Sequence, residues 1–222
     1  MSSRRKNIKT RSPLQELRQI AIIPARNRIK ISPFENAIAE PPVICRVTLS
    51  KIRPIKFGKV RKIVYGAIHQ KGQKYHIDLK KALDSIGSKQ TKYNWFITDC
   101  VCYSKYSKTD AMLNREYCWI SDEDLTSLIC TENFQWIWAV LCGFDKTISL
   151  SEILKYGRPY ADGYEGFWKL PLTMQHPLAE IEIVLWDSSF VLIFSKNKDI
   201  VDNFRRIFPK SENLEDYIRK FE

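Results

Sequence analysis

Two apolar runs joined by a short polar turn, IEIVLWDSSFVLIF at residues 181–194, decide the fold class of this chain. Both runs are rich in β-branched and aromatic residues, which favour strands. The Asp187-Ser188-Ser189 sequence between them is typical of a turn. The pattern therefore predicts a β-hairpin. The residues expected on or beside the core are Ile183, Leu185, Val191 and Ile193.

Further strands are predicted on the N-terminal side of this hairpin. Val64–Ile68, Tyr93–Tyr103 and Cys118–Ile120 combine β-branched and aromatic residues in short runs. Phe134–Phe144 is the most apolar run of the chain and predicts a central strand that is covered on both faces.

Helices are predicted between and after these strands. Tyr75–Ile86 has a helical apolar stripe and is followed by Gly87, a residue that often ends helices. Ser121 precedes three acidic residues, as an N-cap does. Other helices are expected from Ser149 or Ser151, over Asp199–Phe208 and over Leu214–Phe221. These elements predict an α+β fold for residues 64–222, a single domain with a mostly antiparallel sheet and helices on one face.

The positive charge of the chain is concentrated at its N-terminus. Residues 1–63 hold sixteen Lys and Arg against three Glu, a formal charge of +13, whereas residues 64–222 hold 20 basic against 22 acidic residues, or −2. This Pro-punctuated extension is expected to be weakly structured. Three interpretations stay open: contact with nucleic-acid phosphates, a solvated tail, or translated upstream sequence. The candidate nucleic-acid residues are Arg4, Arg5, Lys6, Lys9 and Arg11.

Parts of the folded region resemble a known family. The run YNWFI at residues 93–97, after an amphipathic helix, and EIVLWDSSFVLIFSKNK at residues 182–198 are similar to a small uncharacterised bacterial family, the domain of unknown function numbered 2691. The resemblance covers residues 64–222 and none of the extension. It implies a small cytosolic α+β protein and brings no catalytic residues, since the function of that family is not established.

The sequence shows no motif that identifies a reaction, a metal site or a cofactor. His69, His76 and His176 have no metal-ligand spacing, and each is expected at the surface or at a cap. A pairing of Cys142 with His176 stays open, and Asp99 is expected on the exposed face of its strand. The cysteines are expected to be reduced and buried; they are residues 45, 100, 102, 118, 130 and 142.

The loop from Tyr156 to Trp168 is the candidate recognition surface, because aromatic residues and Arg dominate interface hot spots and Gly lets a loop adapt to a partner. The alternative is a loop that its own aromatic residues fold over the core. The candidate binding residues are Tyr156, Arg158, Tyr160, Tyr164, Phe167 and Trp168.

The leading hypothesis from the sequence is a cytoplasmic, non-enzymatic protein that binds another macromolecule, with a protein as the first candidate partner. The second is a nucleic-acid-associated protein that uses residues 1–63, and an enzyme is third. No cofactor is expected. Membrane association is not expected either, since the longest apolar run is about half of the ~20 residues that a spanning helix needs. The oligomeric state is left open.

Overall fold

The computed structural model describes residues 63–70, 79–87, 89–131 and 134–222. The candidate nucleic-acid residues of the extension lie outside these ranges, as does the start of the helix predicted from Tyr75. The described residues form an α+β fold around one seven-stranded sheet, in which every neighbouring pair of strands is antiparallel. The predicted α+β class and antiparallel sheet are therefore confirmed, but helices pack on both faces of the sheet and not on one as predicted.

The strand order of the sheet is β3-β2-β4-β5-β6-β1-β7, so the β5–β6 hairpin lies near its centre. The longest pairing joins β2 to β4, from Tyr93 opposite Asp145 to Tyr103 opposite Gln135. The strands are β1 (Tyr65–Gln70), β2 (Tyr93–Tyr103), β3 (Tyr117–Ile120), β4 (Gln135–Asp145), β5 (Ile181–Trp186), β6 (Phe190–Ser195) and β7 (Glu212–Asn213).

Two of the described helices begin at capping residues that the sequence predicts. Ser121 Oγ accepts the N–H of Asp124 at 3.0 Å, and Ser149 forms a capping box with Glu152. Gly87 follows the first helix with φ +66°, a left-handed conformation that favours glycine. The helices are α1 (Leu79–Ser85), α2 (Ser107–Leu113), α3 (Asp122–Thr131), α4 (Leu150–Ile153), α5 (Lys198–Ile207) and α6 (Leu214–Arg219).

Each face of the sheet is covered by its own hydrophobic layer. The first layer is helical and includes Leu83 of α1, Leu125 of α3 and Phe204 of α5, all fully buried. The second layer consists of α6 and of the long segment between α4 and β5, which buries Phe167 and Leu172. Because both faces are covered, every residue of β5 and of β6 is buried.

The hairpin forms as predicted. Trp186 pairs with Phe190, and the N–H of Ser189 donates to the carbonyl of Trp186 at 3.0 Å. Asp187 and Ser188 both have positive φ, +46° and +57°. The four predicted core residues Ile183, Leu185, Val191 and Ile193 are all buried.

Strand β2 changes register at Asp99, and this irregularity shapes its outer edge. The pairing of β2 with β4 shifts between Thr98 and Val101, and Asp99 has φ +48°. On its other side β2 pairs with β3 only over Trp95–Thr98. The last five residues of β2 therefore run beyond the end of β3.

The structure confirms the expected burial of some cysteines and contradicts it for one. The five described cysteines are free thiols, and Cys102, Cys118 and Cys142 are buried as expected. The expectation for Cys130 is wrong, since it is exposed near the end of α3. A surface helix presents some of its residues to water whatever their polarity.

Candidate functional site

The loop from Tyr156 to Trp168, which we call the aromatic loop, has a buried side and an exposed side. Phe167 is fully buried, and Tyr164 and Trp168 pack partly buried against the second layer. Tyr156 and Tyr160 are 44% and 47% exposed, and the Arg158 side chain is 44% exposed. One half of this loop thus folds over the core, as the alternative interpretation predicted, and the other half faces solvent.

Two polar side chains hold the exposed half in place. Asp99 Oδ2 accepts the N–H groups of Ala161 and Asp162 at 2.7 and 2.9 Å. The Gln175 side chain forms two hydrogen bonds with the backbone of Tyr160: it accepts the N–H at 3.0 Å and donates to the carbonyl at 2.8 Å. Asp99 was expected on an exposed face; it is half-buried instead, because its carboxylate is the anchor of the loop. These bonds fix the backbone that presents Tyr160.

An open cleft of about 740 Å³ lies between the aromatic loop and the outer edge of β2. Its lining comes from three segments that are distant in sequence: the register change of β2 (98–100), the turn before β3 (114–116) and the loop (158–160). We call it the bulge cleft. Arg158 and Tyr160 are the two predicted binding residues that line it.

The bulge cleft contains a buried polar group without a partner. The side chain of Thr98 is 1% exposed, and its hydroxyl makes no hydrogen bond with any residue that the structure describes. An unsatisfied buried hydroxyl costs about 1–3 kcal/mol. Because Thr98 lines the cleft, a bound molecule could satisfy this hydroxyl once the side chain turns toward it, since the hydroxyl has almost no accessible surface in the free protein.

Two arginines line the cleft, and they differ in their pairing. Arg158 Nη1 lies 2.5 Å from Glu116 Oε2, an ion pair that joins the loop to the turn before β3. Arg115 makes no ion pair with a carboxylate in the described part of the chain. The four charged residues of the lining, Asp99, Glu116, Arg115 and Arg158, balance in formal charge, but Arg115 is the cleft arginine that forms no ion pair with a described carboxylate.

Cys100 also lines the cleft, but its thiol is not activated. A hydrogen bond with the Cys102 thiol, together with burial, raises the pKa of Cys100 far above its ordinary value. A nucleophilic cysteine needs a lowered pKa. Cys100 is therefore a neutral lining group.

A second polar cluster lies beneath the aromatic loop, around Glu182 of β5. The Glu182 side chain is fully buried, and its Oε2 accepts the N–H of Gln175 at 3.0 Å and lies 3.8 Å from Cys142 Sγ. Its Oε1 has no hydrogen-bond partner within the described residues. Burial raises the pKa of Glu182 to about 7. The sequence reasoning did not identify Glu182 as a special residue.

His176 belongs to the same buried region and has a structural role. The expectation of a surface position is wrong, because the second layer buries His176 completely. Its Nδ1 accepts the N–H of Leu178 at 3.3 Å, so Nε2 carries the proton and faces the carbonyl of Ile153 at 3.2 Å. Burial lowers the pKa of His176, which keeps the ring neutral.

These contacts bear on the pairing of Cys142 with His176 that the sequence left open. Both ring nitrogens of His176 are used by backbone groups, and the Cys142 thiol faces Glu182. Burial and the neighbouring carboxyl raise the pKa of Cys142. The arrangement provides neither a thiolate nor a base for one.

Clusters of three or more metal-ligating side chains do not occur in the described ranges. None of the described helices has both the length and the apolar character that crossing a bilayer requires. Comparison of the chain with family models, curated proteins and solved structures finds no match.

Proposed function

We propose that this chain is a non-enzymatic protein that binds another protein through the bulge cleft and the exposed side of the aromatic loop. The observation that carries the proposal is the Thr98 hydroxyl, which is buried in the cleft lining and unpartnered among the described residues. Buried polar groups are nearly always hydrogen-bonded, and the exceptions point to an occupant or a role.

The residues around Thr98 fit a protein partner. Tyr160 and Arg158 present an aromatic ring and a guanidinium at the rim, the residue types that dominate binding hot spots. Tyr160 stacks edge-on against Tyr164, and Gln175 fixes its backbone. A side chain positioned in advance loses little conformational entropy when it binds.

The same geometry argues against covalent catalysis at this site. The thiol of Cys100, which lines the cleft, has a raised pKa, and the imidazole of His176 is buried beneath the loop. A catalytic base must come within hydrogen-bond reach of the group it deprotonates. The exposed groups of the cleft are suited to recognition.

Selection from a display library of random peptides, each about ten residues long, tests the proposal on the full chain. We expect peptides whose affinity falls at least about tenfold in the Tyr160→Ala variant, the effect of losing a hot-spot side chain. Ile207→Ala is the matched control, because Ile207 is an exposed apolar residue of α5, a helix of the opposite layer. Peptides that bind Tyr160→Ala and the unmodified chain equally would contradict the proposal.

A second candidate function rests on the charge of the extension. Residues 1–63 carry +13 and residues 64–222 carry −2, so nucleic-acid affinity should reside in the extension. The logarithm of the binding constant should fall by about 0.9 per duplex phosphate neutralised for each tenfold rise in salt. Binding by residues 64–222 alone, or a clear sequence preference, would contradict this mechanism.

A further inference from the structure

We propose that the occupant of the bulge cleft is an extended acidic segment of the partner, which runs along the edge of β2 beyond the end of β3 and places a carboxylate on Arg115. This inference rests on the proposed function, and it adds the conformation and the charge of the bound segment.

The extended conformation follows from the edge of β2. The pairing with β3 ends at Thr98 opposite Tyr117, yet β2 continues to Tyr103. Over residues 99–103 the described chain places no strand beside that edge. The backbone groups of an open strand edge are a template for an added strand, a common way to bind peptides.

The side chains next to this edge also suit an added strand. Val101 and Tyr103 are 43% and 69% exposed. They alternate with Cys100 and Cys102, which pack toward the first layer, so the two exposed residues share the other face. An added strand would place alternate side chains over them.

The acidic character follows from the charges in the cleft. Glu116 forms an ion pair with Arg158, whereas Asp99 remains charged and binds two N–H groups of the loop through one of its oxygens. Arg115 forms no ion pair with any carboxylate among the described residues. Arg binds carboxylates through two parallel hydrogen bonds, a geometry that gives specificity as well as affinity. A partner carboxylate on Arg115 completes the pairing of the cleft.

Thr98 supplies the remaining contact. It is the last residue of β2 that pairs with β3, so it marks where an incoming strand would begin. Its unpartnered hydroxyl can donate to or accept from a backbone group of that strand. Among the described residues, the strand edge without a paired strand, the arginine without an ion pair and the buried hydroxyl without a hydrogen bond therefore lie in one place.

The test uses the peptides selected on the full chain, with affinities measured by fluorescence anisotropy. We expect the selected sequences to share an Asp or Glu, and Arg115→Gln to weaken their binding about tenfold, the scale of a lost charge-assisted pair. Arg205→Gln is the control, because Arg205 is an exposed arginine on α5 of the first layer. Replacing the acidic residue of the peptide should weaken binding to the unmodified chain and have little effect on the Arg115→Gln variant.

Two further readouts separate recognition from folding. Bound peptide should slow amide hydrogen exchange over residues 99–103, since an added strand protects the edge. Thr98→Val should weaken binding several-fold while raising Tm, because it removes an unsatisfied buried hydroxyl from the free protein. A residue with a purely structural role would not lower affinity while increasing stability.

The outcomes distinguish the two proposals. Peptides that depend on Tyr160, but show no acidic preference or bind the Arg115→Gln variant normally, would overturn this inference and leave the proposed function standing. Peptides that are indifferent to Tyr160, or a library that yields no binder, would overturn both.

Discussion

Replacement of Glu182 by Gln should make the stability of this protein less dependent on pH. Gln has nearly the same shape and keeps an oxygen that can accept the N–H of Gln175, but it cannot ionise. Glu182 is fully buried, and one of its oxygens is unpartnered among the described residues, so its ionised form is costly. The substitution removes that cost without opening a cavity.

The pKa of Glu182 gives the sign and the size of the effect. Burial raises this pKa from 4.5 to about 7. Between these values the unfolded chain releases the proton while the folded protein keeps it. The stabilising effect of the neutral carboxyl is therefore complete below pH 4.5 and falls as pH rises to about 7. The difference between the two pKa values corresponds to about 3 kcal/mol of unfolding free energy.

Urea unfolding of both proteins from about pH 4 to about pH 8 measures this effect. We expect the difference in unfolding free energy to shift by about 3 kcal/mol in favour of Gln over that range. The titratable groups facing Glu182, namely Cys142 of β4, His176 and Tyr164, are present in both proteins, so their contributions largely cancel. Glu123→Gln, at an exposed carboxylate of α3, is the control. A difference that stays flat between pH 4.5 and pH 7 would refute the argument.

Three other predictions test the fold and the loop. Ile183→Asp places an unpaired charge in the fully buried β5 and should lower the unfolding free energy, measured by urea titration, by about 3–5 kcal/mol. An effect below about 1 kcal/mol would mean that Ile183 does not lie in the core. Asp99→Gly places a residue that tolerates the positive φ at this position but removes the carboxylate that anchors the loop. Amide hydrogen exchange at Ala161 and Asp162 should therefore accelerate, and unchanged exchange would contradict the anchoring role. A chain of residues 64–222 should unfold in one cooperative transition, with a midpoint close to that of the full chain; loss of folded protein would show that the extension is needed.

The sequence predicts those parts of the fold that depend on local patterns. Strand β2 has the predicted bounds, Tyr93–Tyr103, because its aromatic and β-branched residues have a strong strand preference of their own. Ser121 marks the start of α3, because the cap and the acidic first turn are local chemistry. Neither feature depends on what lies across the sheet.

The burial of Glu182 could not be predicted in this way. Its alternation with Ile181 and Ile183 is the pattern of a strand with one polar face. That face is covered by the segment between α4 and β5, which has no periodic pattern to reveal it. Val184 and Trp186, on the same side of β5, were the available signal, since both are apolar and lie in the second layer.

The bulge cleft could not be predicted from local sequence patterns either, although the sequence identified Arg158 and Tyr160 as candidate binding residues. The other walls come from the register change at Asp99 and from the turn before β3. No pattern in the sequence brings these three segments together. Their proximity results from the long-range bonds between Asp99 and the loop.

The aromatic loop alternates between solvent and core over four consecutive residues. Arg158 and Tyr160 are exposed, whereas Pro159 and Ala161 are buried. Under the proposed function, recognition therefore depends on the exposed residues of this segment and folding on the buried ones, so either set can change while the other keeps its role. The loop is thus a natural position for diversification: randomising residues 158 and 160 while keeping 159 and 161 should produce variants with new binding preferences on an unchanged scaffold.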